Sequence, residues 1–204
     1  NYYLLVQAMR QVAEDLPQSY LWELPKLRAP GPLQGYPRVF ELAQVLSLHE
    51  GAKLDLDTIV SFVAAYQEVQ PLPMGELWAL PIMLRVVLLE SVTQATARLT
   101  NLPDDSVPPP FVLEYDKNDD DVIAAAIPTL HRLSRIDWRE FFEELSQVEQ
   151  ILGQDPAGLY SAMTFATRDR YRKIVESLAL DVGKSEGEVA LASTLIDAPR
   201  VSTE

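Results

Sequence analysis

The chain has 204 residues, of which 48% are hydrophobic and 23% charged, as in an ordinary globular protein with one domain or two small lobes. It contains no cysteine and only two histidines, so disulfide scaffolds and cysteine nucleophiles are excluded and imidazole metal sites are disfavoured. The net charge of −13 makes nucleic acid an unfavourable partner, because an acidic surface repels phosphate.

Helical periodicity dominates the first half of the chain. Residues 1–15 are predicted to form a helix that buries Leu4, Leu5, Ala8, Met9 and Val12. A proline-rich but ordered connector follows over residues 18–37. Residues 38–49 form the next predicted helix, with Val39, Leu42, Val45 and Leu46 inward. Asp55 or Asp57 caps a third helix, whose inward stripe is Ile59, Phe62, Val63, Tyr66 and Val69.

The most apolar stretch of the chain is residues 77–89, which include one charged side chain, Arg85. A membrane span needs about 18 or more apolar residues, and this run is shorter and contains Pro81. We therefore predict no span, but a fourth helix from about residue 74 to 99 that is buried on most sides by protein.

Residues 101–117 are rich in proline and aspartate and form a predicted connector. It would join an N-terminal helical lobe, residues 1–100, to a C-terminal helical lobe, residues 118–204. Helices are then predicted after caps at Asn118, Asp137 and Thr167, the second with the continuous stripe Trp138, Phe141, Leu145, Val148 and Leu152.

Three further features complete the predicted C-terminal lobe. Pro156 opens a short helix. The helix capped by Thr167 turns Tyr171, Ile174, Val175 and Leu178 inward, and a capping box at residues 185–188 starts the last helix. The fold class is all-α, an irregular multi-helix bundle, and division into two lobes remains open.

Basic residues are concentrated at Arg168, Arg170, Arg172 and Lys173, at a predicted helix N-terminus. Cations oppose the helix dipole there, so another group must compensate them. One interpretation is tertiary pairing with the acidic segment that carries Glu140, Glu143, Glu144 and Glu149. The alternative is that Arg168, Arg170 and Arg172 form a surface that binds an anion or docks a partner.

Three charged residues interrupt the apolar helix: Glu76, Arg85 and Glu90. Glu76 and Arg85 are nine positions apart and lie on opposite faces, so they need partners from other elements. Trp22, in the connector, is a candidate for stacking on a sugar. No nucleophile–base pair, carboxylate dyad or metal-binding constellation stands out, so no catalytic residue and no metal ligand is predicted. The acidic runs near residues 55 and 119 are interpreted as helix N-termini.

An ordered series of short strings resembles the cyclic β-1,2-glucan synthases. The strings are EDLP (14–17), ELPKL (23–27), GPLQGYPRV (31–39), AYQEVQPL (65–72), GELWALP (75–81), LR (84–85), DPAG (155–158) and FATRDRYR (165–172). The series spans nearly the whole chain, although the proline-rich interval from 99 to 115 matches nothing in it.

The resemblance implies a large enzyme of the bacterial inner membrane that makes cyclic glucan from UDP-glucose with a divalent metal. This chain would be its soluble N-terminal region on the cytoplasmic side, ahead of the membrane segments and the transferase domain. The abrupt apolar start of the chain also suggests a fragment. The family's catalytic aspartates lie in other domains, so none is transferred to this sequence.

Three functions are therefore left open. The first is a non-catalytic scaffold or regulatory region that packs against other domains of the same polypeptide. The second is a module of the same enzyme that binds glucan or nucleotide sugar through Trp22, the tyrosines and the basic cluster. The third is an independent helical adaptor that binds other proteins.

Overall fold

The computed structural model describes residues 2–101, 113–181 and 187–197. In these residues the chain forms an all-α multi-helix bundle, which confirms the predicted fold class. The helices are α1 (Tyr2–Asp15), α2 (Gln18–Glu23), α3 (Arg38–His49), α4 (Leu56–Gln67), α5 (Met74–Leu99), α6 (Asp119–Leu133), α7 (Trp138–Leu145), α8 (Gln147–Leu152), α9 (Phe165–Asp181) and α10 (Gly187–Asp197).

The centre of the bundle is α5, which packs against α1, α3, α6 and α7. Its apolar run is buried, except that Trp78, Val86 and Leu89 are half-buried. A helix that is apolar all round must be enclosed by other elements. The helix α5 continues through Pro81. In the described part of the chain, no helix has both the length and the apolarity that crossing a membrane requires.

The predicted connector between residues 18 and 37 is ordered and contains α2. Its two ends are joined by backbone hydrogen bonds, from Leu27 N to Tyr36 O at 2.9 Å and from Arg38 N to Pro25 O at 2.8 Å. Because prolines cannot donate such bonds, the few amides between them carry the closure of the loop.

Helices on both sides of the predicted 101–117 connector contribute to one hydrophobic core. In particular, α5 packs along α6, and Arg98 near the end of α5 pairs with Asp119 at the start of α6 at 2.7 Å. Residues 102–112 lie outside the described part of the chain, so the connector and the two lobes stay predictions.

The predicted continuous helix after Asp137 is wrong, because the chain breaks at Ser146 into α7 and α8. Ser146 has extended backbone angles, and its hydroxyl accepts a hydrogen bond from Glu149 N at 3.3 Å. A serine side chain competes with helical hydrogen bonds in this way and favours a cap over a helix interior.

The short helix predicted at Pro156 is also absent. Instead, the Asp155 carboxylate accepts hydrogen bonds from the backbone of Ala157, Leu159 and Tyr160 at 2.9, 2.9 and 3.2 Å. Three amides directed at one carboxylate hold a turn rather than a helix. The next helix begins at Phe165, two residues before the predicted cap, and Thr164 Oγ1 accepts from Thr167 N at 3.3 Å.

Several residues predicted to face inward lie on the surface. Val45 is 50% exposed, Met9 61% and Val69 89%. Met9 and Val45 lie at helical positions beside the core, where a small rotation decides whether a side chain is buried, whereas Val69 lies beyond the end of α4 at Gln67. The residues of the capping box predicted at 185 and 186 lie outside the described part of the chain.

Candidate functional site

Two members of the basic cluster on α9, Arg168 and Arg172, pair with carboxylates from the preceding helices. Arg168 bonds to Glu143 on α7 and to Glu149 on α8. Arg172 donates from Nη1 to Glu149 at 2.6 Å. Of the acidic partners that the sequence offered, the structure brings Glu143 and Glu149 to the cluster.

Glu149 is the hub of this network. It is buried, and besides the two arginines it accepts a hydrogen bond from the Tyr160 hydroxyl at 2.6 Å. Burial, and then the bond to Glu149, raise the pKa of Tyr160. Burial alone would lower the pKa of Arg172, but its hydrogen bond to Glu149 raises it. The Arg172 guanidinium is therefore held in its charged form.

Aromatic rings enclose the same guanidinium. The centre of the Arg172 guanidinium lies 5.0 Å from the Phe142 ring and 4.7 Å from the Phe165 ring. Trp78 of α5 in turn stacks on Phe142 at 4.5 Å between centroids. Cation–π contacts of this kind stabilise a desolvated guanidinium by about 2 kcal/mol. Charge, hydrogen bonds and packing thus link α5, α7, α8 and α9.

This enclosure decides which basic residues can meet a partner. Arg172 is only 1% exposed, so it has no surface to present to another domain, contrary to its role as a docking candidate. Arg168 is half-buried in its ion pairs, and Arg170 is exposed. Of the three predicted docking residues, Arg170 keeps a free surface position.

The burial of Arg172 also sets the rotation of α9. Its inward positions are Arg172, Val175 and Ala179, whereas Tyr171, Ile174 and Leu178 are 48%, 55% and 44% exposed. Val175 is thus buried as predicted, but the prediction is wrong for Tyr171, Ile174 and Leu178, because the inward face lies one residue further along, about 100° of helix rotation. The result is an exposed row that we call the α9 stripe: Tyr171, Ile174 and Leu178.

Glu76 is fully buried in α5 and pairs with Arg38 at the start of α3. Burial raises the pKa of Glu76 even though Arg38 opposes the change. Arg38 is a cation at a helix N-terminus, which is an unfavourable position for positive charge, as it is for the α9 cluster. This signal could have identified Arg38 in the sequence as the partner of Glu76. Glu90 is half-buried, and burial raises the pKa of its carboxyl.

Arg85 lies at the wall of an open cleft of about 550 Å³, which we call the Arg85 cleft. Asp15, Tyr20, Trp78 and Trp138 also line it. The side chain of Arg85 is 8% exposed and that of Asp15 is 55% exposed. Sequence reasoning missed this convergence, since its members come from α1, α2, α5 and α7.

Trp22 lines a different groove, of about 400 Å³, on the side of Met83 and Val86 of α5. Its ring is 75% exposed, and Lys26 Nζ lies 4.3 Å from the ring centroid. The described residues that line this groove are mostly apolar and include no carboxylate. Trp22 is therefore open to solvent but lacks the mixed polar surroundings of the Arg85 cleft.

Residues 2–101, 113–181 and 187–197 hold no group of three or more histidine, aspartate or glutamate side chains that could bind a metal ion. The side chains described above form a helical module with paired interior charges and a polar cleft at Arg85.

Comparison with known proteins shows which protein this helical module is similar to. The chain is similar to the cyclic beta-(1,2)-glucan synthase NdvB of Rhizobium meliloti (strain 1021), with 25% identity over 260 residues. The similarity covers 93% of this chain and 9% of NdvB, so the chain spans about a tenth of that relative's length. It supports the resemblance to cyclic β-1,2-glucan synthases at family level. No protein-family model matches the chain.

Proposed function

We propose that this chain is a non-catalytic helical scaffold of a cyclic β-1,2-glucan synthase, which packs against other domains of the same polypeptide. The parent enzyme would take UDP-glucose, with a divalent metal, at the cytoplasmic side of the bacterial inner membrane. The similarity to a small part of NdvB supports the proposal that this chain is one region of a larger polypeptide, because most of such a polypeptide lies outside the matched region.

The observation that carries the proposal is the α9 stripe. Three large apolar side chains, Tyr171, Ile174 and Leu178, lie on one face of a helix at spacings of three and four residues. Arg170 is exposed beside them. Apolar rows with a charged margin are typical of protein contact surfaces.

The support beneath this face is rigid for a physical reason. The opposite face of α9 carries Arg172, whose guanidinium is fixed by Glu149 and by two phenylalanine rings. A buried charge held in an ion pair tolerates little displacement, because separation from its partner would leave an uncompensated charge in the interior. The stripe is therefore held in one orientation, as a docking surface requires.

The test is an Ile174→Glu/Leu178→Glu double variant in the full-length synthase, with Val69→Glu as the matched control at another exposed apolar position. Both changes lie on the surface, so the thermal unfolding midpoint of the isolated chain should move little. We expect the double variant to lower glucan production at least five-fold at normal protein level, and the control to leave it unchanged. Normal production by the double variant would refute the docking function.

A further inference from the structure

The chemistry of the Arg85 cleft differs from that of the paired charges elsewhere in the bundle. Arg85 Nη2 donates to the Leu133 carbonyl at 3.3 Å, and Nη1 lies 4.0 Å from Asp15 Oδ2, beyond hydrogen-bonding distance. Burial lowers the pKa of this guanidinium, and Asp15 offsets the effect only in part. A nine-tenths buried cation thus retains hydrogen-bonding capacity at the wall of an open cleft.

Two aromatic side chains of the cleft, Trp138 and Tyr20, already satisfy their own polar atoms. Trp138 Nε1 donates to Leu133 O at 3.1 Å, and the Tyr20 hydroxyl donates to Gly75 O at 2.6 Å. The parts of these residues left to line the cleft are mainly carbon surface. At about 550 Å³, the cleft also falls within the size range of small-molecule sites, about 300–1,000 Å³.

Asp15 and Arg85 together define the kind of ligand that fits. Arg85 can only donate hydrogen bonds, and the Asp15 carboxylate can only accept them. A hydroxyl group does both, so neighbouring hydroxyls of one sugar ring can satisfy the two residues at once. An anionic ligand would be repelled by the Asp15 carboxylate and by the net charge of −13 of the chain.

We propose that the Arg85 cleft binds a pyranose ring of a neutral oligosaccharide. Arg85 donates to one ring hydroxyl and Asp15 accepts from another, while Trp78 and Trp138 pack against the apolar C–H surface of the sugar. The choice of β-1,2-linked glucose as the oligosaccharide rests on the proposed function. A scaffold that also holds the glucan would keep the growing chain close to the domain that extends it.

The experiment titrates the 204-residue chain with linear β-1,2-gluco-oligosaccharides, followed by calorimetry and tryptophan fluorescence. We expect saturable binding that shifts the fluorescence of Trp78 and Trp138. Asp15→Ala and Arg85→Met should each weaken binding at least ten-fold. Trp22→Ala, in the other groove, is the matched control and should change affinity less than two-fold. Thermal unfolding of each variant verifies that the fold is retained.

Two results would overturn the proposal. The first is no binding at millimolar oligosaccharide, or binding that both Asp15→Ala and Arg85→Met leave intact. The second is equal or tighter binding of UDP that Arg85→Met abolishes, since the cleft would then select an anion. Ile174→Glu/Leu178→Glu serves as a cross-check, because it should keep oligosaccharide binding in the isolated chain. A failure of docking and a failure of sugar binding are thus distinguishable.

Discussion

Arg172 and Arg85 are both buried arginines, but they lie in different surroundings. Arg172 has a carboxylate at 2.6 Å, a second one at 3.4 Å and two aromatic rings within about 5 Å. Arg85 has one carbonyl at 3.3 Å and one half-exposed carboxylate at 4.0 Å. The first arrangement is closed and stabilises the fold, whereas the second is open and leaves hydrogen-bonding capacity for a ligand.

The contrast teaches that burial alone does not assign a role to a charged residue. A buried charge held in close ion pairs, such as Arg172, leaves an uncompensated charge behind when its partner is removed. A buried charge whose nearest carboxylate lies 4.0 Å away, such as Arg85, has no close ion pair to break and is available for binding. Substitutions that remove either partner should therefore separate the two regions clearly.

The largest effect is expected for Glu149→Gln. It removes the negative charge that Arg168 and Arg172 share, while Arg172 stays buried. The free energy of unfolding should fall by about 3–5 kcal/mol, as for other broken buried ion pairs. Denaturant unfolding of the purified chain measures it, and a loss below 1 kcal/mol would mean that the network is not what fixes α9.

Glu188 extends the comparison to a buried carboxylate that pairs with no cation among the described residues. It accepts a hydrogen bond from Met74 N at 2.9 Å. Its pKa rises from 4.5 to about 7, mainly by burial and further through Glu176 and Glu76, although the Met74 bond opposes the rise. Because the folded-state pKa is the higher one, the stability that Glu188 contributes is greatest below pH 4.5 and is lost as pH rises through 7.

The fall attributable to Glu188 should be about 3 kcal/mol at most between pH 4.5 and pH 8. Glu188→Gln, which keeps an acceptor for Met74 N, should remove most of this slope and be more stable than the parent at pH 8. Unfolding curves at several pH values measure both quantities. An unchanged slope in the variant would assign the pH dependence to Glu76 and Glu176 instead.

Arg172→Met should have an intermediate effect. Glu149 would keep Arg168 and the Tyr160 hydroxyl as partners, so the substitution removes one of the three hydrogen-bond partners of this carboxylate. The expected cost is about 1–3 kcal/mol in the free energy of unfolding. Stability equal to the parent would show that packing, not the ion pair, holds this part of the bundle.

The smallest effect is expected for Arg85→Met, the direct counterpart of the previous substitution. Its loss leaves Asp15 half-exposed in water and the Leu133 carbonyl still bonded to Trp138. The free energy of unfolding should change by less than about 1 kcal/mol, in either direction. A cost as large as that of Arg172→Met would remove the distinction between the closed and the open region.

The sequence predicts the burial of α5 well, because a helix that is apolar on every face needs cover whichever elements supply it. It does not predict the rotation of α9. Apolar residues are assigned to the core by default, and here Arg172 takes the inward position because Glu149, from another helix, compensates its charge. The break at Ser146 was missed because the apolar stripe continues across it.

The Arg85 cleft was invisible in the sequence for a different reason. Asp15 and Tyr20 lie far from Trp138 in the chain, and the three meet only through the packing of α1, α2 and α7 around α5. Each has an ordinary local interpretation, as a helix end, an aromatic residue of the connector and a core tryptophan. Sequence spacing carries information within one helix, and this cleft is built from four.

The most direct test of the scaffold function is side-chain footprinting by hydroxyl radicals, with the isolated chain compared to the full-length synthase. We predict that oxidation of Tyr171, Ile174 and Leu178 falls at least three-fold in the full-length enzyme, while Met9, exposed on α1, reacts equally in both. Equal oxidation of the α9 stripe in the two proteins would contradict the account, because the stripe would then face solvent in the assembled enzyme.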